Sequence, residues 1–217
     1  MRPFGEAALL VDVADARAAQ ALAAALRAAA PITGVVPGRA SVLVEWDPLT
    51  TTADAVRRLI DAALAHPSTA EPVGRERTIP VVYGGERGPD LEDVAARLGM
   101  APEEVVARHA AVELEVLFCG FAPGYAYLGD LPDALRVPRL ATPRTRTPAG
   151  SVAIADGMTG IYPDDLPGGW PVIGWTPIRL FDPRRNPPAY LLPGDRVRFR
   201  AIAAADAHGF AAAPEDW

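Results

Sequence analysis

Glycine and proline divide the second half of this chain into short pieces, and this spacing strongly limits what the segment can form. The 217 residues include 19 glycines and 23 prolines. From residue 120 onward, these two residue types recur every few positions between short apolar runs. Arg196 to Ile202 alternates, with Val197, Phe199 and Ala201 on one side. This pattern is typical of an all-β barrel with elaborate loops.

The first 64 residues have a different pattern. Ala8 to Val13 is a short apolar strand, residues 16–29 form an alanine-rich helix, and Ser41 to Trp46 alternates as a strand. Thr51 is the predicted N-cap of a second helix, whose buried stripe comprises Val56, Leu59, Ile60 and Ala63. The order β-α-β-β-α predicts a small ferredoxin-like α+β unit.

Two helices and a strand are predicted between these regions. Thr78 to Tyr83 is a strand, which Pro80 places at an edge. Asp90 to Leu98 is a helix ended by Gly99, and a second helix runs from Pro102 to about Ala110.

The domain boundary falls in residues 65–76, which contain two prolines, a glycine and no periodicity. We therefore predict an N-terminal α+β domain with its linker over 1–76, a barrel domain over 77–202 and a flexible tail over 203–217. The predicted fold class is α+β.

Composition excludes several classes of function. The net charge of −6 argues against nucleic-acid and anionic-membrane partners. The sequence has no lysine, so Schiff-base, lysine-base and P-loop mechanisms are excluded. We expect neither a signal peptide nor a membrane span, and hence a soluble cytoplasmic protein. One cysteine and three scattered histidines predict no internal disulfide and no metal site.

Glycine- and proline-rich stretches are the best candidates for a small-molecule site, because they build rigid loops with exposed amides. One of them is 83–90, and the other three begin at Gly120, Thr142 and Pro167. The residues predicted to bind substrate lie in these last three: Phe121, Pro123, Gly124, Tyr127, Arg146, Gly150, Ser151, Gly168, Gly169 and Trp170. The aromatic residues here, with Tyr125, Tyr162 and Trp175, either line a pocket or belong to the core.

Arg144 and Arg146 are two residues apart and share a face if the backbone is extended. Two guanidinium groups beside Gly150 and Ser151 suit a carboxylate or a phosphate. The alternative is a pair of solvent-facing arginines on an edge strand.

His109 and Cys119 each allow a chemical role and a structural one. His109 lies near a helix C-terminus, which favours an acid/base or anion-binding imidazole; otherwise it is a packed histidine with a satisfied hydrogen bond. Cys119 has no neighbouring histidine in sequence, which favours a buried thiol.

Five motifs together resemble a known family. In order, they are IPVVYGGERGPDLEDVA, CGFAPGYAYLGDLP, RLATPRTRTPAGSVAI, IYPDDLPGGWPVIGWTP and LLPGDRVRF. They resemble the family variously called allophanate hydrolase subunit 1, carboxyltransferase subdomain C/D, KipI and the B subunit of 5-oxoprolinase, over residues 4 to 202.

The resemblance implies an N-terminal α/β domain followed by a cyclophilin-like β-barrel. It also implies two partners: a C subunit of allophanate hydrolase subunit 2 type and an A subunit that is LamB/YcsF-like. The implied reaction is ATP-driven opening of the 5-oxoproline lactam to glutamate, with this chain inactive alone. Since there is no P-loop, the ATP site is unconventional or lies on a partner.

Residue roles follow from the same resemblance. It implies catalytic roles for Arg144, toward the substrate carboxylate or a phosphoryl group, and for His109, as a proton carrier. The chain departs from the family pattern at Ala110, where a small hydroxyl residue is usual, and at 112–114, where tyrosine is frequent.

Two other functions remain open from the sequence. One is a KipI-like inhibitor of a sensor histidine kinase. The other is a carboxyltransferase component of urea or allophanate metabolism, although the chain has no biotin-carrier segment. The arginines suited to a carboxylate substrate favour the 5-oxoprolinase role.

Overall fold

The computed structural model describes residues 1–66, 74–210, 214 and 217. The chain divides into two compact units, Met1–Val73 and Gly74–Trp217. Of the predicted linker, 65–76, residues 67–73 lie outside the described residues; Ala65 ends a helix and Glu76 begins a strand.

The first unit contains four strands and two helices among its described residues: β1 Arg2–Pro3, β2 Ala8–Asp12, α1 Ala16–Arg27, β3 Ile32–Pro37, β4 Ser41–Trp46 and α2 Ala53–Ala65. The strands form an antiparallel sheet in the order β1-β2-β4-β3. Leu22 and Ile60 of the two helices pack with Leu9, Val42 and Val44 of the sheet in one core. The predicted β-α-β-β-α order is present, preceded by the short β1.

Local side-chain contacts start both helices of this unit. The Asp15 carboxylate accepts a hydrogen bond from the Ala18 amide at 2.8 Å, which caps α1. Thr52 Oγ1 accepts from the Ala55 amide at 3.3 Å and caps α2. The predicted cap, Thr51, was therefore wrong by one residue, because only Thr52 is followed directly by the first helical turn.

The described part of the second unit contains nine strands and two α-helices: β5 Glu76–Tyr83, α3 Leu91–Leu98, α4 Pro102–Ala111, β6 Glu113–Cys119, β7 Ala126–Gly129, β8 Arg144–Thr147, β9 Ser151–Ala155, β10 Met158–Ile161, β11 Leu166–Gly168, β12 Val172–Trp175 and β13 Arg196–Ala201. Seven of these strands close into a barrel in the order β10-β7-β6-β13-β5-β12-β9. The α+β class with a barrel in the second part is confirmed.

The barrel is closed by a parallel pair, β5 and β13, whereas its other neighbouring strands are antiparallel. Its interior is filled by apolar side chains of alternate positions: Ile79, Val81, Leu114, Val116, Leu128, Val152, Ile154, Val197 and Phe199. The remaining strands, β8 and β11, form a separate two-stranded sheet that carries Arg144 opposite Gly168.

Two predictions for the barrel strands were wrong. Pro80 is not on an edge strand, because β5 pairs with β13 at Pro80 and with β12 at Val82 and Tyr83. The proline is tolerated because the pairing with β12 does not extend to it. Ala201 is exposed rather than inward-facing, since it lies at the end of β13.

Both predicted helix ends agree with the structure. Gly99 ends α3 in the left-handed conformation with φ of 67°, and its amide bonds to the last turn. Pro102 is the first residue of α4. The predicted tail, 203–217, includes a 3-10 helix at Ala204–Gly209 that buries Ala207, while residues 211–213, 215 and 216 lie outside the described residues.

We predict that Gly174→Ala destabilises the barrel by about 1–3 kcal/mol, because an added Cβ has no room. It would lie 2.7 Å from Val81 Cγ1 and 2.9 Å from the Val82 carbonyl oxygen. Gly120→Ala is the matched control, since its Cβ would meet no atom within 4 Å. Urea unfolding of both variants measures the difference; equal free energies of unfolding would contradict the described packing of β12 on β5.

Candidate functional site: an aromatic cluster beside Arg144

Five aromatic side chains from two of the predicted motifs meet on the barrel. Tyr125 is the centre of this group, with ring centroids 5.3 Å from Phe121, 4.8 Å from Tyr127 and 5.3 Å from Tyr162. Trp170 stands edge-on to Tyr127 at 5.7 Å. We call these five residues the aromatic cluster. Tyr125, Tyr162 and Trp170 are buried, whereas Phe121 is 60% exposed.

The Gly120 to Tyr127 loop holds Phe121 outward. Its turn is closed by the Tyr125 amide, which donates to the Ala122 carbonyl at 3.0 Å. Gly124 has φ of +83°, and a Cβ there would lie 2.7 Å from Phe181 Cβ, so only glycine fits. Pro123, at the tip, is exposed. The loop is thus fixed by its backbone, and Phe121 is the exposed member of the aromatic cluster.

Glycines leave room for two tyrosine hydroxyls of the cluster. A Cβ on Gly160 would lie 2.6 Å from the Tyr125 hydroxyl, and one on Gly168 would lie 2.1 Å from the Tyr162 hydroxyl. Burial raises the pKa of both tyrosines above its ordinary value. The hydroxyls therefore stay protonated at neutral pH.

Arg144 is held in place by Asp90. Its Nη2 donates to Asp90 Oδ1 at 2.6 Å, while Asp90 Oδ2 accepts from the Val172 amide at 2.6 Å. The other terminal nitrogen, Nη1, is buried and has no hydrogen-bond partner within the described residues. The positive charge of Arg144 also acts on the aromatic cluster. It lowers the pKa of Tyr162, whereas burial raises that pKa. Asp90 thus fixes Nη2 of the guanidinium, while Nη1 has no hydrogen-bond partner among the described residues.

Arg146 has a different environment from Arg144. Its Nε donates to Asp165 Oδ2 at 2.9 Å, and its side chain is 73% exposed. Asp165 Oδ1 accepts a hydrogen bond from the Ala149 amide at 2.9 Å. This hydrogen bond and, to a smaller extent, the one from Arg146 lower the pKa of Asp165. The pair therefore ties the 146–149 loop to the 164–165 turn, as expected for a solvent-facing arginine.

The Gly150 amide, which was predicted to bind an anion beside Arg144 together with the Ser151 hydroxyl, is already used. The Gly150 amide donates to the Tyr162 carbonyl at 2.7 Å, and the Ser151 amide donates to the Pro148 carbonyl at 3.2 Å. Gly150 is required for packing, since its Cβ would lie 2.3 Å from the Thr176 carbonyl oxygen. Gly169 contacts Pro143, and its carbonyl accepts from the Leu140 amide at 2.7 Å.

His109 lies on α4 and packs against barrel residues outside the aromatic cluster. It is fully buried and stacks on Phe199, with ring centroids 4.6 Å apart. Its Nδ1 is 2.7 Å from the Tyr83 hydroxyl, and its Nε2 is 3.1 Å from Thr159 Oγ1. Thr159 donates its own proton to the Ala153 carbonyl at 3.0 Å. Nε2–H therefore donates to Thr159 and the Tyr83 hydroxyl donates to Nδ1, which assigns a neutral imidazole.

These contacts favour the packed alternative for His109. Burial lowers its pKa to about 3, so the ring remains neutral at physiological pH. Cys119 is likewise unsuited to chemistry: burial raises the pKa of its thiol to about 11, and Sγ contacts the Leu191 carbonyl at 3.7 Å.

The sequence did not single out Asp90 as a site residue, although it ends the 83–90 stretch. Its importance arises from contacts with residues 54 and 82 positions away, which no local pattern reveals. Within the described ranges, no group of three or more His, Cys, Asp or Glu could hold a metal ion. In the same part of the chain, no helix is long and apolar enough to cross a membrane.

Comparison with known proteins identifies the class. The model of the carboxyltransferase domain, subdomain C and D, matches residues 1–191. The crystal structure of TTHA0988 superposes with a TM-score of 0.79 and 36% identity, covering 91% of this chain and 40% of that larger chain. The chain therefore belongs to the family of carboxyltransferase subdomain C and D proteins.

Two curated relatives of the chain are B subunits of 5-oxoprolinase. The chain is 46% identical to the B subunit of 5-oxoprolinase from Escherichia coli O157:H7 over 169 residues, which is 77% of each chain. It is 39% identical to the B subunit of 5-oxoprolinase from Haemophilus influenzae, over 91% of this chain and 95% of that protein.

We predict that His109 makes stability depend on pH. Its pKa is about 3 in the folded chain and about 6.5 when unfolded, so the unfolded state gains a proton as the pH falls through 6.5. The free energy of unfolding should drop by about 2 kcal/mol from pH 7 to pH 5 through this residue.

Urea unfolding at both pH values measures this contribution. His109→Gln, which cannot titrate, should lack the drop, whereas the exposed control His208→Gln should retain it. The same pH dependence in the wild type and in His109→Gln would contradict the neutral, buried imidazole.

Proposed function

We propose that this chain is the B subunit of a cytoplasmic, ATP-dependent 5-oxoprolinase, which opens the 5-oxoproline lactam to glutamate together with the A and C subunits. The observation that carries this proposal is the similarity to the B subunits of known 5-oxoprolinases, which extends through both units of the chain. The kinase-inhibitor and urea-metabolism alternatives receive no comparable support from relatives of this similarity.

Arg144 is the residue proposed to bind the substrate carboxylate. A guanidinium forms short, charge-assisted hydrogen bonds to a carboxylate. Asp90 fixes one of its terminal nitrogens, and the other has no partner among the described residues. An arginine that is already oriented loses less conformational entropy on binding an anion, which supports a recognition role.

The aromatic cluster is proposed as the wall of the same site. Tyr127 and Trp170 offer flat apolar surface to a five-membered lactam ring, and Phe121 is exposed at the edge. The backbone at Gly168 pairs with Arg144 across β8 and β11, which brings this wall beside the arginine. Pro123, Gly124 and Gly169 shape the loops, and Arg146, Gly150 and Ser151 support them.

ATP is proposed to bind to the complex rather than to a nucleotide motif of this chain. The sequence has no lysine and hence no P-loop lysine for the phosphates. Attack on a stable lactam requires activation of its oxygen, for which phosphoryl transfer from ATP is suited. The A and C subunits would then supply or complete the nucleotide site and the proton transfers.

We predict that ADP and glutamate form from 5-oxoproline and ATP only when this chain is combined with the A and C subunits. The physical reason is that the proposed site offers an arginine and an apolar wall, whereas the buried imidazole of His109 is neutral and lies outside this site. Release of ADP and glutamate in mixtures lacking each component in turn measures this. Full activity without this chain would overturn the proposal. So would a complete mixture that releases no ADP or glutamate while this chain alone suppresses a sensor kinase.

We predict that Arg144→Gln raises the KM for 5-oxoproline at least about tenfold in the reconstituted complex, as expected for the loss of a charge-assisted hydrogen bond. The KM for ATP should stay unchanged if Arg144 binds the carboxylate. Arg108→Gln, which removes an exposed ion pair with Glu104, is the control. A raised KM for ATP would instead assign Arg144 to a phosphoryl group, and unchanged kinetics in a folded variant would exclude both roles.

A further inference from the structure

A pocket in the barrel unit shares no lining residue with the aromatic cluster or Arg144. It occupies about 300 Å³ between the ends of β5 and β12 and the 3-10 helix at Ala204–Gly209. Its lining residues are Val82, Arg87, Trp175, Pro177, Ala204, Ala207, His208 and Phe210. This volume is at the lower end of the range of small-molecule sites, about 300–1,000 Å³.

Arg87 is the residue that suggests a ligand. It ends the short 3-10 helix Gly85–Arg87, and its guanidinium carbon lies 4.1 Å from the ring centroid of Trp175. The indole is itself fixed, because Trp175 Nε1 donates to the Ala149 carbonyl at 2.9 Å. The stacking orients the guanidinium without using its N–H groups.

The donors of Arg87 are free in the part of the chain that the structure describes, where the guanidinium has no hydrogen bond or ion pair. Three other arginines of the same unit, Arg75, Arg144 and Arg184, each pair with an aspartate instead. A stacked, oriented guanidinium without a carboxylate partner is well prepared to bind an anion.

The remaining lining residues supply one further basic side chain and an apolar wall. His208 is the second basic side chain, and none of the lining residues is acidic. Pro177, Ala207 and Phe210 supply flat or small apolar surface, and a second guanidinium, that of Arg200, lies 5.3 Å from the Phe210 ring. A chain with a net charge of −6 thus has a pocket lined only by basic and apolar groups.

We propose that this pocket binds a small planar carboxylate. The carboxylate would accept hydrogen bonds from the edge of the Arg87 guanidinium, beside His208. The apolar body would lie against Pro177, Ala207 and Phe210. The proposal goes beyond the 5-oxoprolinase function, because Arg144 and the aromatic cluster take no part in this pocket.

The test uses benzoate as the probe and the indole N–H resonances of the four tryptophans as the signal. Trp175→Phe identifies the resonance of Trp175. Benzoate should shift this resonance with a saturable curve, and benzamide, which has the same shape without the charge, should bind at least about tenfold more weakly. The whole chain is used throughout.

Two variants separate this site from the proposed substrate site. Arg87→Gln should weaken benzoate binding at least about tenfold, because the charge-assisted contact is lost. Arg144→Gln and the control Arg97→Gln, whose guanidinium pairs with Asp93 on α3, should leave it unchanged.

Several results would overturn the proposal. Equal affinity for benzoate and benzamide would show that the pocket binds the apolar ring and does not recognise the carboxylate. Retained affinity in folded Arg87→Gln would exclude the guanidinium contact. Shifts at Trp170 that depend on Arg144 would place the carboxylate in the other site, and absence of saturable shifts up to about 10 mM would exclude binding.

Discussion

The buried carboxylate of Asp195 joins the two strands that close the barrel. Its Oδ1 accepts from the Arg75 amide at 2.9 Å, and its Oδ2 accepts from Arg75 Nη2 and from the Leu192 amide, each at 2.9 Å. These bonds fix the start of β5 beside the start of β13, 120 positions further along the chain. The parallel ladder that follows closes the barrel and positions the end of β5, where Val82 lines the pocket beside Arg87.

A second aspartate organises the candidate site in the same way. Asp90 accepts from Arg144 and from the Val172 amide, so that it connects the start of α3, the two-stranded sheet and β12. In each case one carboxylate satisfies several donors from distant segments, which compensates for the cost of removing it from water. The family relationship of the chain and this arrangement together make Arg144 the residue on which the proposed substrate recognition depends.

The structure separates residues that the sequence treated alike. Arg144 and Arg146 are two positions apart, yet one is held by Asp90 beside the aromatic cluster and the other pairs with Asp165 at the surface. His109 shares its helix with exposed arginines but is enclosed by Tyr83, Thr159 and Phe199, and its low pKa follows from that enclosure. Arg87 received no role from its motif, whereas in the structure it stacks on Trp175 and lines a pocket with it.

The sequence by itself determined the α+β class, the barrel in the second part, the ends of α3 and α4 and the motifs that carry the family, because these depend on local periodicity, glycine conformation and the fixed φ of proline. It also indicated the two motifs whose aromatic residues meet. The tertiary structure alone decided that Asp90 holds Arg144 while Arg146 pairs with Asp165 at the surface, that His109 is neutral, and that the strand of Pro80 has neighbours on both sides in a closed barrel. Those properties depend on partners between about 19 and 120 positions away, and pairing at that distance is set by strand order and packing, which no local pattern records.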